Sequence, residues 1–236
     1  MHRSMWQSKR DYFSEEGLDL TLITGFGADK VLTALISGEA DIGFMGAEAS
    51  IYAYQEGATD PVVNFAQLTQ RAGNFLVARE EMPDFKWEDL KGRKVLGGRK
   101  GGMPEMVFEY ILKKNGLDPE KDLSIDQSID FGATAAAFTG DDSADFTVEF
   151  EPSATALEKQ GAGYVVASLG VDSGYVPYTS YSARTSYMEK ILISCKNLLM
   201  LCKKVWILSR ATLLKKLQKS SSLSSLKQIW IPSQPS

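Results

Sequence analysis

The segment LDLTLITGFGADKVLTALISGEADIGFMGAEAS, Leu18 to Ser50, decides the fold. Its apolar opening, Leu18 to Thr24, predicts a strand, and Gly25-Phe26-Gly27 predicts the turn that ends it. Asp29 to Ser37 has the spacing of a short helix, with Gly38 placed to stop it. Asp41 to Met45 reads as a second strand, and Gly46-Ala47-Glu48 opens a second helix. Each strand-to-helix junction carries glycine where a helix N-terminus presents unpaired N–H groups and a partial positive charge. Two such junctions close together make a pocket for a small ligand, often an anion. Nothing in that arrangement makes an enzyme.

Working outward, strand and helix signals alternate, which predicts an α/β protein with largely parallel strands. Strands are expected at Val62 to Leu68, Asn74 to Ala78, Lys94 to Gly97, Leu123 to Asp126, Phe146 to Val148 and Tyr164 to Ser168. A helical turn is expected at Trp87 to Leu90, and helices at Met103 to Asn115, Ala133 to Phe138 and Pro152 to Lys159. Pro104 near the first turn of the Met103 helix and Gly116 at its end follow the capping rules.

The bulk numbers are those of an ordinary soluble domain: 236 residues, 44% hydrophobic and 24% charged. No stretch reaches the ~20 apolar residues of a membrane span, and no signal-peptide pattern is recognisable at the start. Charge is unevenly spread. Residues 1–189 hold all 30 acids and 17 of the 26 basic residues, while 190–236 hold nine basic residues and no acid. A body of net −13 without clustered Lys or Arg argues against a nucleic-acid partner. Both cysteines, Cys195 and Cys202, lie in the basic tail 191–236. Two readings of that tail stand open: a basic amphipathic segment, Ile191 to Lys219, for a membrane or partner, and translation out of frame.

A family resemblance rests on an ordered set of motifs. The pattern G-x-G-A-D-K-V-x-x-A-L-x-S-G-x-A-D-I-G-x-M-G comes first, then Ala66-Gln67-Leu68 and Asp89-Leu90-Lys91-Gly92. Leu96 to Glu105, Lys113 to Pro119 and the dipeptide Glu151-Pro152 follow. In this order, over about Tyr12 to Glu189, the chain resembles the ABC-transporter solute-binding proteins of the nitrate, sulfonate, taurine and bicarbonate group. The resemblance implies a type II periplasmic-binding-protein fold: two lobes with a hinge, crossed near Arg79 to Met82 and near Pro177 to Tyr181. Residues 12–79 would begin lobe I, 80–178 would form lobe II, and 179–190 would return to lobe I. MHRSMWQSKR lacks the apolar strand this family carries there, so lobe I is expected to be incomplete and 191–236 to be a non-family tail. The implied partners are a small-molecule ligand and the permease of the importer. The implied location is extracytoplasmic, with the membrane reached only through an N-terminal anchor or the basic tail. No cofactor and no metal are implied.

Ligand contacts are expected first at Gly25, Phe26, Gly27 and Asp29, where backbone donors and an aromatic wall would face the solute. The alternative for these four is a tight turn that merely starts a helix. Met45, Gly46, Ala47 and Glu48 form the second loop. Glu48 would repel an anion, so it binds a cationic or neutral group or simply favours its helix N-terminus. Gly101, Gly102 and Met103 would offer backbone from lobe II, although GGRKGG lacks the spacing and Lys-Ser/Thr end of a phosphate-binding loop. Arg99 and Lys100 read as anion partners or solvated surface. Gln67, Phe131, Gly132, Glu151 and Pro152 complete the expected lining, and Glu149 and Glu151, two apart on an extended segment, should point the same way. Tyr178 and Tyr181 would line the cleft or the hinge.

Three function classes follow. The resemblance favours a non-catalytic solute-binding component of an importer, taking a small polar organic or anionic molecule. Enzymes of thiamine-pyrimidine-precursor and menaquinone-pathway type share the fold, so catalysis is the alternative. His2 is the chain's only histidine, which weighs against chemistry that needs one. An effector-sensing domain of a transcription regulator would require a preceding DNA-binding segment, for which no pattern is present.

Overall fold

A computed structural model describes residues 19, 21–130 and 132–190, and residues 23–190 form one compact unit. The basic tail and the residues before Asp19 lie outside the described residues, as does Phe131. Helix α1 (Ala28–Ser37) leads to strand β1 (Ile42–Gly46), helix α2 (Glu48–Gln55) and strand β2 (Val62–Thr69). Strand β3 (Asn74–Ala78), a 3-10 turn at Trp87–Leu90, strand β4 (Lys94–Leu96) and helix α3 (Met103–Lys114) follow. The chain continues through β5 (Ser124–Asp126), α4 (Thr134–Gly140), β6 (Phe146–Phe150), α5 (Ser153–Lys159), β7 (Tyr164–Ser168), α6 (Leu169–Asp172), β8 (Thr179–Arg184) and α7 (Thr185–Lys190).

Two sheets result. One has the order β1-β8-β2, the other β5-β4-β6-β3-β7. The parallel pairings among the described strands are the two that β4 makes, with β5 and β6. Strand β8 is antiparallel to both β1 and β2, and β3 is antiparallel to both β6 and β7. The expectation of largely parallel strands is therefore corrected. The connecting strands β3 and β8, which pass into and out of the larger sheet, run against their neighbours. The expected strand Leu18 to Thr24 is corrected over its described part: Thr21 to Thr24 are irregular and exposed, Leu18 and Leu20 lie outside the described residues, and no described strand borders the free edge of β1. Strand β8 and helices α6 and α7 were not anticipated; Ser- and Thr-rich TSYSAR carries no apolar alternation.

Local chemistry explains the elements that hold the site. Helix α1 places Val31, Leu32 and Leu35 on one face, and it ends where Gly38 adopts φ 84° and donates its N–H to Leu35 O. That helix lies close over β1 because Gly43 has no side chain: a Cβ there would meet Leu35 Cδ1 at 2.7 Å and Val31 Cγ1 at 2.8 Å. Leu35, Met45, Ala49 and Val62 form the core of this region. Helix α3 buries Val107, Phe108, Ile111 and Leu112 against Leu76, Ala78, Phe146 and Val148. Alternate residues of the larger sheet face the other way, where Val77 and Leu96 pack with Phe138, Ala154 and Leu157. The sheet is thus covered on both faces, as the buried β6 sequence Phe146-Thr147-Val148 requires.

Phe108 is wholly buried, with its ring 6.3 Å from that of Trp87. Phe108→Ala should lower stability by about 3–5 kcal/mol, because the removed ring leaves a cavity that close packing cannot refill. Urea unfolding of the full chain followed by tryptophan fluorescence measures this loss.

Candidate functional site

The N-termini of α1, α2 and α3 meet where the two sheets adjoin. Asp29, in the first turn of α1, forms a two-pronged pair with Arg99: Nη1 to Oδ1 is 3.0 Å and Nη2 to Oδ2 is 2.9 Å. Glu48, at the start of α2, accepts the backbone N–H of Met103, at the start of α3, on Oε1 at 3.0 Å. A third contact runs from the Tyr52 hydroxyl to the Met106 sulfur at 3.2 Å. Each contact joins an element of the first sheet region to the Arg99–Lys114 segment.

Asn64 fixes the position of α2. Its Oδ1 accepts the hydroxyls of Ser180 (2.7 Å) and Ser182 (2.6 Å), and its Nδ2 donates to Ser50 Oγ at 2.8 Å. Strands β2 and β8 are thereby locked to the first turn of α2. Gly46 completes the local geometry, since a Cβ there would overlap both carboxylate oxygens of Glu48. Ala47 donates its N–H to Tyr178 O at 3.4 Å, and the Tyr178 hydroxyl donates to Asn74 Oδ1 at 2.9 Å. The chain of contacts therefore runs from Glu48's loop through Tyr178, just before β8, to the start of β3.

Two buried acids, Glu48 and Glu105, give the junction its electrostatic character, and a third, Glu149, is buried on β6 apart from it. Glu48 is 2% exposed, and burial raises its pKa above the ordinary 4.5. Glu105 is also buried, accepting Gly101 N–H at 2.6 Å and Gln127 Nε2–H at 2.7 Å, and burial raises its pKa as well. Glu149 accepts the Thr147 hydroxyl at 2.8 Å, and burial again lifts its pKa. Burial and the Glu48 charge both raise the pKa of Tyr178.

The sequence-derived residues separate into distinct groups. Asp29, Gly46, Ala47, Glu48, Gly101 and Met103 fall within the network just described. Gly25 and Gly27 hold the approach to α1: a Cβ on Gly25 would meet Val31 Cγ2 at 2.8 Å, and one on Gly27 would meet Arg99 Nη1 at 3.1 Å. Phe26 takes a positive φ of 52° and is 67% exposed. Gly102 donates to Arg99 O at 3.2 Å, which closes the turn before α3. Met45 points into the core with Leu35 and Val62. Gln67 is exposed and donates to Thr69 O on its own strand. Gly132 lies in an exposed turn, and Phe131 lies outside the described residues. Glu151 caps α5 by accepting Thr155 Oγ1–H at 2.8 Å, with Pro152 beside it at the helix entry. The expectation that Glu149 and Glu151 share a direction is corrected: β6 ends at Phe150, so the alternation stops, and Glu149 is buried while Glu151 is exposed.

Asn64, Asn74, Glu105 and Gln127 were not singled out from sequence. A buried Asn on a strand, as at Asn74, is the signal that was available. A separate pocket of about 210 Å³ lies between β4 and α4, lined by Lys94, Leu96, Asp141 and Ala144, and it involves none of these residues.

The two sheets, their linking strands and the junction of helix N-termini define the periplasmic-binding-protein fold, and solved structures support that class. The periplasmic aliphatic sulphonate binding protein SsuA of Escherichia coli superposes with a TM-score of 0.72 at 22% identity, covering 90% of this chain and 70% of SsuA. The alkanesulfonate-binding protein SsuA of Xanthomonas axonopodis pv. citri, bound to MOPS, gives 0.70 at 18% identity over 84% and 66%. The nitrate-binding protein NrtA of Synechocystis PCC 6803 gives 0.67 at 17% identity over 83% and 55%. By sequence, the chain belongs to the NMT1/THI5-like family, whose model matches residues 5–212. That match extends beyond the motifs quoted above at both ends. The chain is also 50% identical over 181 residues to YtlA of Bacillus subtilis (strain 168), named as a candidate binding protein. The alignment covers 77% of this chain and 54% of YtlA, so the chain spans about half of that relative.

Two predictions follow from the buried acids. Gly46→Ala should cost about 1–3 kcal/mol by crowding the Glu48 carboxylate, and most of that cost should vanish in a Glu48→Ala background. Denaturant unfolding of the four proteins in this cycle measures the coupling. Glu149 has a folded pKa above its ordinary 4.5, so the folded state holds the proton more tightly. Its contribution is present at low pH and lost as pH rises through the folded value. Wild type should therefore lose stability relative to Glu149→Gln between pH 4.5 and neutrality, read from urea midpoints across that range.

Proposed function

We propose that this chain is the solute-binding component of an ABC importer, and that it captures a small polar molecule without transforming it. The observation that carries the reading is the Glu48–Met103 hydrogen bond, which brings a side chain and a backbone donor from the two sheet regions to one junction. In this reading, 12–79 and 179–190 form lobe I, and 80–178 form lobe II. The hinge segments then fall just after β3 and just before β8. The Asp29–Arg99 pair is half exposed, so it is a weak, reversible latch suited to a cleft that opens. Closure of two such lobes excludes water from the solute and strengthens the polar contacts made to it. The intact protein would work outside the cytoplasm and hand its cargo to a membrane permease.

Catalysis is the alternative on this fold, and the residues at the junction weigh against it. They supply carboxylates, amides and backbone N–H groups, and the sequence from Arg3 to Ser194 contains neither histidine nor cysteine. The junction's buried carboxylates, Glu48 and Glu105, are engaged by backbone N–H groups of Met103 and Gly101, which fits recognition better than turnover.

A solute that binds should make the full chain more compact in small-angle scattering, and it should be recovered unchanged by mass spectrometry after prolonged incubation. Any stoichiometric conversion of the bound molecule would overturn the reading.

A further inference from the structure

Glu48 has one satisfied oxygen and one unsatisfied oxygen. Oε1 takes the Met103 N–H, whereas Oε2 is buried without a hydrogen-bond partner in a residue 2% exposed. Leaving such an oxygen without a donor is costly and is rare in folded proteins. Gly46 shows that the backbone is shaped to admit this carboxylate. A second orphan group lies along the same chain of contacts. Asn74 is fully buried, its Oδ1 is taken by Tyr178, and its Nδ2 has no partner. Tyr178 links the two, because its backbone oxygen accepts the N–H of Ala47, the residue before Glu48.

The same junction is poorly suited to a free anion. The backbone donors at Met103 and Gly101, which an anion would need, already serve Glu48 and Glu105. An incoming sulfonate or nitrate would meet two buried carboxylates, with the Met103 and Gly101 donors already taken.

We infer that the solute presents an N–H donor, on an amine, amidine or amino-heterocycle, to Glu48 Oε2, and that Glu48 determines which solutes the cleft accepts. This inference rests on the solute-binding reading above. A charged donor against a buried carboxylate is a strong, short-range interaction, and it removes the cost of the orphan oxygen. Burial otherwise disfavours the charged form of Glu48, and a donor from the ligand restores it.

The test is calorimetric titration of the full chain with propylamine, acetamidine and 4-aminopyridine, and separately with propane-1-sulfonate and nitrate, all at millimolar concentrations. At least one nitrogen probe should bind about tenfold more tightly than either anion, and Glu48→Gln should weaken it by about tenfold to a hundredfold. The wild-type selectivity needs no variant, so a misfolded Glu48→Gln leaves the test intact. Tighter binding of an anion, or nitrogen-probe affinity unchanged in Glu48→Gln, would overturn the inference while leaving solute binding in place. Heat from none of the five probes would count against both.

Discussion

Strand β8 must return from the far side of the larger sheet and wedge between β1 and β2, and the candidate site depends on that return. Without β8 the two early strands have no common neighbour, since each pairs with it and neither with the other. The return also delivers Ser180 and Ser182 to Asn64, and Asn64 to the first turn of α2. Tyr178, just before β8, meets the Glu48 loop on one side and Asn74 on the other. One topological requirement therefore positions the carboxylate, Tyr178 and the start of β3 together. The larger sheet becomes an insertion between two parts of the smaller structure, held at both ends.

Helices α1 to α5 were legible in the sequence because each carries its own signal, whereas the short α6 and α7 do not. Apolar residues at helical spacing define α1 and α3, Gly38 and Gly116 stop them, and Pro104 marks an entry. The positions of β1 to β7 were legible too, but strand direction was not. Direction depends on which strands become neighbours, and β8 has no apolar periodicity to announce that it will sit at the centre of a sheet. Its inward residues are serines, buried because Asn64 satisfies them. A pattern based on hydrophobicity cannot anticipate a strand held in this way.

The site was partly legible for a related reason. Glycine-rich turns ahead of helices mark where N–H donors are exposed, and Gly46, Gly101 and Met103 were found by that rule. The rule does not say what occupies those donors. Glu48 and Glu105 lie nearby in sequence from the loops they affect, yet their acceptor roles follow from burial and from contacts across the junction. Gln67 shows the same limit: its amide sits at a strand end, as the motif suggested, and its Nε2 donates to Thr69 O.

The occupied donor at Met103 has a consequence for how such a cleft selects its cargo. A carboxylate borne by the same chain is an internal rival, held at an effective concentration on the order of millimolar or above. A free anion of equal intrinsic affinity must be present above that level before it displaces Glu48. A solute that leaves the rival in place and docks against its idle oxygen faces no such competition. On the proposed solute-binding reading, such a cleft would filter scarce solutes from abundant salts by occupying its own donors in advance.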